Sequence, residues 1–138
     1  MAAGERCEID GYTVSFLRCR TSGTDAGGAD RAGGGRVLAF SADGVPTDGM
    51  VACARDADLF ICDALCAIRD GADWAAQARS LIHPVAREAA QMAAAAHAQV
   101  LALTHFARFA NVANLLSEAR EVLPGPVIVP DDCETLSV

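Results

Sequence analysis

Residues 80–109 read SLIHPVAREAAQMAAAAHAQVLALTHFARF, and the fold turns on how this stretch is read. A histidine stands near each end, His83 and His105, with room for one helix and one strand between them. Pro84 follows His83, and proline is favoured at the first helical position. From Ala86 to His97 the chain is nearly all strong helix former, without glycine or proline, which predicts a helix over 84–97. Val100, Leu101, Ala102 and Leu103 form a short apolar run that suits a buried parallel strand, predicted over 99–103. His105 then sits at the carboxyl end of that strand, where open α/β sheets gather their chemistry. The helix carries the chain away and the strand returns it, so His105 is expected near His83.

The flanking segments extend the same pattern. Tyr12, Val14, Phe16 and Leu17 suggest a strand that ends before Thr21. Residues 1–11 are expected to form a flexible start or an edge strand, and 22–35, rich in glycine, a flexible loop within a domain spanning 12–138. Three glycines beside Arg36 are no phosphate loop, because the lysine and hydroxyl of that motif are absent. Arg36–Phe40 predicts a buried strand and SADG a turn. Thr47 or Asp48 would cap a short helix through Ala57. DLFIC at 58–62 is again strand-like, with Asp63 ending it. Residues 64–79 read as an irregular stretch with a short helix at 74–79. Residues 111–122 are apolar on one helical face. Short strands are expected at 127–129 and 135–138. Strands alternating with helices make this an α/β chain.

Composition bounds the function. Hydrophobic residues make up 52% of the 138, but much of that is alanine and only 5% is aromatic, so the core buries little area per residue. The formal net charge is −7 and every basic residue is arginine, which argues against broad nucleic-acid binding. A local site where a metal supplies the positive field is compatible with that balance. Six cysteines without a signal peptide point to reduced, largely buried thiols and a cytoplasmic protein. No apolar run reaches transmembrane length, and no membrane association is expected.

Four residues carry the chemistry. Asp43 follows a strand and offers a hard oxygen ligand, though an aspartate before glycine is also an ordinary turn residue. His105 offers imidazole, a common metal ligand, or a backbone-bonded strand end. His83 is either an acid–base group or a packed helix-start residue. Asp63 stands where a carboxylate would orient one of the histidines. His97 is expected merely to close its helix. Cys62 and Cys66 offer a rival pair of soft zinc ligands, with His105 as a third, but a structural site needs four. Arg108 would make a salt bridge or approach a phosphate.

HPVAREAAQMA and LALTHFARF together resemble the C-terminal part of a metallo-β-lactamase-fold hydrolase of the ribonuclease Z-like branch. In that branch a histidine opens a helix, an apolar strand follows, and a THF or NHF turn ends it. The likeness runs from about Tyr12 to Val138. It implies one half of a four-layer αββα sandwich, essentially the C-terminal βα half. It also implies that Asp43, in SADG where the family has GDT, and His105 bind metal. Zinc is the first choice and manganese the second. His83, in HPV where the family has HST, would assist proton transfer, with Asp63 matching the acid of HEAT or CEAT segments. The HxHxDH signature that opens such domains is absent, and a further family histidine is replaced by Cys or Thr in RCRTSG. Two readings follow. One is a metal-dependent phosphodiester hydrolase, acting on a small substrate and requiring a homo-oligomer or a chain with the missing half. The other is a degenerate half-domain with an assembly or regulatory role.

Overall fold

The computed structural model describes residues 6–9, 12–17, 27–31 and 35–137. Seven strands form one sheet in sequence order: β1 (Arg6–Ile9), β2 (Tyr12–Leu17), β3 (Gly27–Arg31), β4 (Val37–Phe40), β5 (Leu59–Asp63), β6 (Leu101–Thr104) and β7 (Val127–Ile128). The first four pair antiparallel and the last four parallel. Residues expected as an N-terminal edge thus include the edge strand β1. The expected loop over 22–35 is corrected by β3, whose whole length pairs with β2 and most of it with β4. GGADR has no strand propensity of its own; its two neighbours recruit it. The remainder of that loop up to residue 34, and Cys19–Thr21, lie outside the described residues.

Helices α1 (Asp48–Cys53), α2 (Ala72–Ser80), α3 (Ala86–Ala95) and α4 (Val112–Arg120) fill the crossovers β4–β5, β5–β6 and β6–β7. Each crossover steps one strand in the same direction. Right-handed connections that all step the same way put their helices on one face. That face holds Ala39, Phe60, Cys62, Leu101 and Leu103, packed with Met50 of α1, Ala86, Ala89, Ala90 and Ala93 of α3, and Leu115 and Ala119 of α4. The alanines bring α3 close to the strands. On the other face, the register lines up Phe40, Ile61, Ala102 and Ile128, and Phe40 is 49% exposed. The architecture is an α/β layer pair, half of an αββα sandwich.

Local chemistry sets the element ends. Thr47 caps α1 by accepting from the Met50 N–H at 3.1 Å. That helix ends at Cys53 rather than Ala57, because the Asp56 N–H donates to Ala96 O at 2.7 Å and Asp56 turns left-handed (φ 54°). Helix α3 begins at Ala86, not at Pro84. Leu65 N donates to Pro84 O and Ala86 N to Cys66 O, each at 3.0 Å, which holds Val85 extended, while Glu88 accepts from Val85 N at 3.1 Å. Its far end is a Schellman closure: Ala98 N bonds Ala93 O, His97 N bonds Ala94 O, and His97 takes φ 56°. His97 closes the helix, as expected. Residues 135–137 form no strand; Asp131 and Glu134 bond each other in a local turn just before them.

Candidate metal centre

Three adjacent parallel strands deliver the site. β4 runs through Ser41 to Asp43, β5 ends on Asp63, and β6 runs through Thr104, the partner of Asp63, to His105. Two residues past these ends are left-handed, Ala42 (φ 49°) and His105 (φ 56°). Non-glycine residues in that region cost about 1–2 kcal/mol each. The bends turn the chain so that Asp43 Oδ1 lies 2.9 Å from His105 Nδ1. His83 arrives on the segment between α2 and α3, fixed by its own N–H donating to Ala78 O at 2.9 Å.

The sequence-predicted residues therefore converge. His83 Nδ1 lies 2.6 Å from Asp63 Oδ2, and the His83 and His105 rings meet edge to face with centroids 5.1 Å apart. Asp43, His83 and His105 each place a ligand atom within 4.8 Å of the other two. His83, read from sequence as a proton-transfer group, thus stands in the donor cluster as well. Asp63 is only 2% exposed, and its Oδ1 has no partner. Burial pushes its carboxyl up to about 6, against the pull of the His83 hydrogen bond and the charges of His83 and His105; Asp43 adds to the rise.

Ser41 is a contributor that sequence reading missed. It is buried, its Oγ accepts from the Asp63 N–H at 2.9 Å and donates to Ala42 O at 2.7 Å, and its N–H donates to Ile61 O. It binds the Asp43 turn to the end of β5. The only signal in the sequence is a small hydroxyl residue opening the SADG turn.

The cysteine alternative is not assembled. Cys62 lies in the main core on the helix face, and Cys66 in a second apolar cluster with Ala75, Ala78 and Val85. Burial raises both thiols, Cys66 to about 11 and Cys62 further. Among the described residues, Cys7, Cys62, Cys66 and Cys133 form no disulfide. Arg108 is exposed and makes no hydrogen bond or ion pair among the described residues.

The donor set fits a divalent ion. One carboxylate oxygen and two imidazole nitrogens match the three protein ligands of an open zinc site. Two donors each about 2.1 Å from a shared ion lie at most about 4.2 Å apart, so a pair at the 4.8 Å limit would have to close by roughly half an ångström. The unpartnered Asp63 Oδ1 behind this cluster adds negative potential.

No family model matches the chain. It is 40% identical over 106 residues to ribonuclease Z of Halorubrum lacusprofundi, a match covering 75% of this chain and 33% of the relative. The chain thus spans about a third of the length of the curated relatives it matches. Among solved structures, the metallo-beta-lactamase fold protein YhfI from Bacillus subtilis aligns with 94% of this chain and 51% of its own, at TM-score 0.82 and 24% identity. The short form of human tRNase Z aligns with 95% of this chain and 45% of its own, at TM-score 0.71 and 22% identity.

Proposed function

We propose that this chain, which carries part of the metallo-β-lactamase fold and resembles the C-terminal part of a ribonuclease Z-like hydrolase, forms one wall of a metal-dependent phosphodiester hydrolase centre. The observation that carries this reading is the gathering of Asp43, His83 and His105 donors within 4.8 Å. Asp43 and His105 would hold the ion, zinc first and manganese second. A zinc ion bound there supplies Lewis-acid polarisation of a phosphoryl oxygen and lowers the pKa of a coordinated water.

The protein's own groups do the rest. An ionised Asp63 accepts a hydrogen bond from His83 Nδ1–H, which would fix that tautomer and leave Nε2 as the ring's second working atom. From Nε2, His83 donates a proton to the departing oxygen or joins the donor set. Burial raises the Asp63 carboxyl to about 6, which would let the Asp63–His83 pair exchange a proton with the cleft more readily than an exposed carboxylate could. The ligands that HxHxDH supplies elsewhere would come from a second chain bearing the missing half. The rival reading, a non-catalytic half-domain with an assembly or regulatory role, is favoured by the donor count: one three-residue cluster among the described residues.

Equilibrium dialysis with zinc tests the proposal. The wild-type chain is expected to retain zinc, and Asp43→Ala and His105→Ala to lose it. Hydrolysis of bis(4-nitrophenyl) phosphate is expected only after a chain carrying an HxHxDH segment is added. A wild-type chain that retains no zinc, and gains no activity from the added chain, refutes the hydrolase reading.

A further inference from the structure

We infer that Trp74 and Phe109 form a stacking subsite for the flat ring of a phosphorylated substrate, a nucleobase or an aryl group, beside the proposed metal centre. Their rings stack with centroids 4.0 Å apart and planes at 24°, yet each residue keeps about two-fifths of its surface exposed (40% and 43%). A core pair would bury both rings. Among the described residues, the exposed large apolar side chains other than Phe40 all fall in 68–81 and 106–112, the segments that lead into His83 and out of His105. Phe109 is four residues past His105, at most about 14 Å along the chain. α2, which carries Trp74, ends three residues before His83.

The pair is held in place before any ligand arrives. Gly71 (φ 144°) brings its backbone so near the indole that a Cβ there would stand 3.2 Å from Trp74 Cδ1. Ala110 packs against the cluster of Cys66, Ala75, Ala78 and Val85, and its N–H donates to Ala107 O at 2.8 Å. Asp70 accepts from Asn114 Nδ2 at 2.8 Å and so ties the start of α4 to the turn before α2. Arg108, one residue before Phe109 in the sequence, is exposed and without a hydrogen bond or ion pair among the described residues. A free guanidinium in a chain of net charge −7 suits an anionic ligand. An aromatic face with a cation beside it is the combination that binds a ring carrying phosphate.

The inference rests on the phosphodiester reading for its substrate class, but its test needs neither metal nor turnover. Trp74 is the only tryptophan, so intrinsic emission reports on this position alone. The 138-residue chain is titrated with adenosine 5′-monophosphate, phenyl phosphate and ribose 5-phosphate. The two ring-bearing probes are expected to change Trp74 emission saturably, and ribose 5-phosphate to leave it unchanged. Phe109→Ala should weaken the ring-bearing probes about tenfold and Phe109→Tyr should retain them, with thermal unfolding of both variants like wild type. Tighter binding of the adenosine probe would identify a nucleobase, and equal binding a general aryl site. Equal effects of all three probes, no saturable change, or full affinity in Phe109→Ala would overturn the subsite. Zinc retention without a ring effect sinks this inference alone; a ring effect with neither zinc retention nor activity on adding the complementing chain sinks the hydrolase reading alone.

Discussion

Asp63→Asn should make this protein more stable at neutral pH, although it removes half of the closest polar pair in the site. The carboxyl is 2% exposed, one oxygen lacks a partner, and burial raises its pKa from 3.8 to about 6 despite the bond to His83. A rise of roughly two units corresponds to about 3 kcal/mol. The sign follows from linkage. The folded state binds this proton more tightly than the unfolded chain, so the stability it contributes is fully present below about 3.8 and is lost as pH climbs through about 6. An asparagine is neutral throughout. The variant should match wild type near pH 4 and exceed it by up to about 3 kcal/mol at pH 8. Urea unfolding followed by far-ultraviolet circular dichroism at several pH values gives the difference directly. A gap that does not change with pH, or a variant less stable than wild type at pH 8, would show that Asp63 is a stabilising ion partner and refute the reasoning. A confirmed gap would mark Asp63 as a group kept at the expense of stability, as catalytic and ligand-orienting carboxylates are.

Two further stability predictions concern the scaffold. Glu118 is buried at 1% exposure and accepts from Arg69 N at 3.3 Å and Arg87 N at 3.2 Å, so Glu118→Ala should cost about 3 kcal/mol and Glu118→Gln about half that, read as a lower urea midpoint at unchanged slope; a loss below about 1 kcal/mol for alanine would mean both N–H groups find water. Thr47→Ala should cost about 1 kcal/mol through loss of the α1 cap, with Thr47→Ser near wild type in the same assay.

The parts of the molecule legible in the sequence are those whose signal is local. The apolar run at 100–103, the alanine-rich helix before it and the DLFIC strand each announce themselves by composition, and the α/β alternation then brings the ends of β4, β5 and β6 together. Asp43, Asp63, His83 and His105 meet because of that alternation. What was not legible is set by partners distant in sequence. GGADR becomes β3 only because β2 and β4 flank it. Helix α3 starts late because Leu65 and Cys66 claim the backbone on both sides of Val85. Ser41 reads as a turn residue until the Asp63 N–H is seen beside its hydroxyl. Sequence also divided His83 and His105 between proton transfer and ligation, whereas the fold places both rings in one cluster.

Burial across the site separates a finished half from an unfinished one. Side-chain exposure climbs from 2% at Asp63 and 15% at His83 to 53% at His105 and 64% at Asp43. The His83–Asp63 pair is enclosed by this chain's own residues and reaches hydrogen-bond distance without outside help. The Asp43–His105 pair stands exposed past the strand ends, with capacity for further neighbours. On the proposed reading, a complementing chain would cover Asp43 and His105 far more than His83 and Asp63. Hydrogen exchange and chemical modification should then report the addition of such a chain as protection around residues 41–44 and 104–108, with little change at 83–86. Equal protection at both places would mean that the partner covers a different surface, and the shared-centre reading would lose its geometric basis.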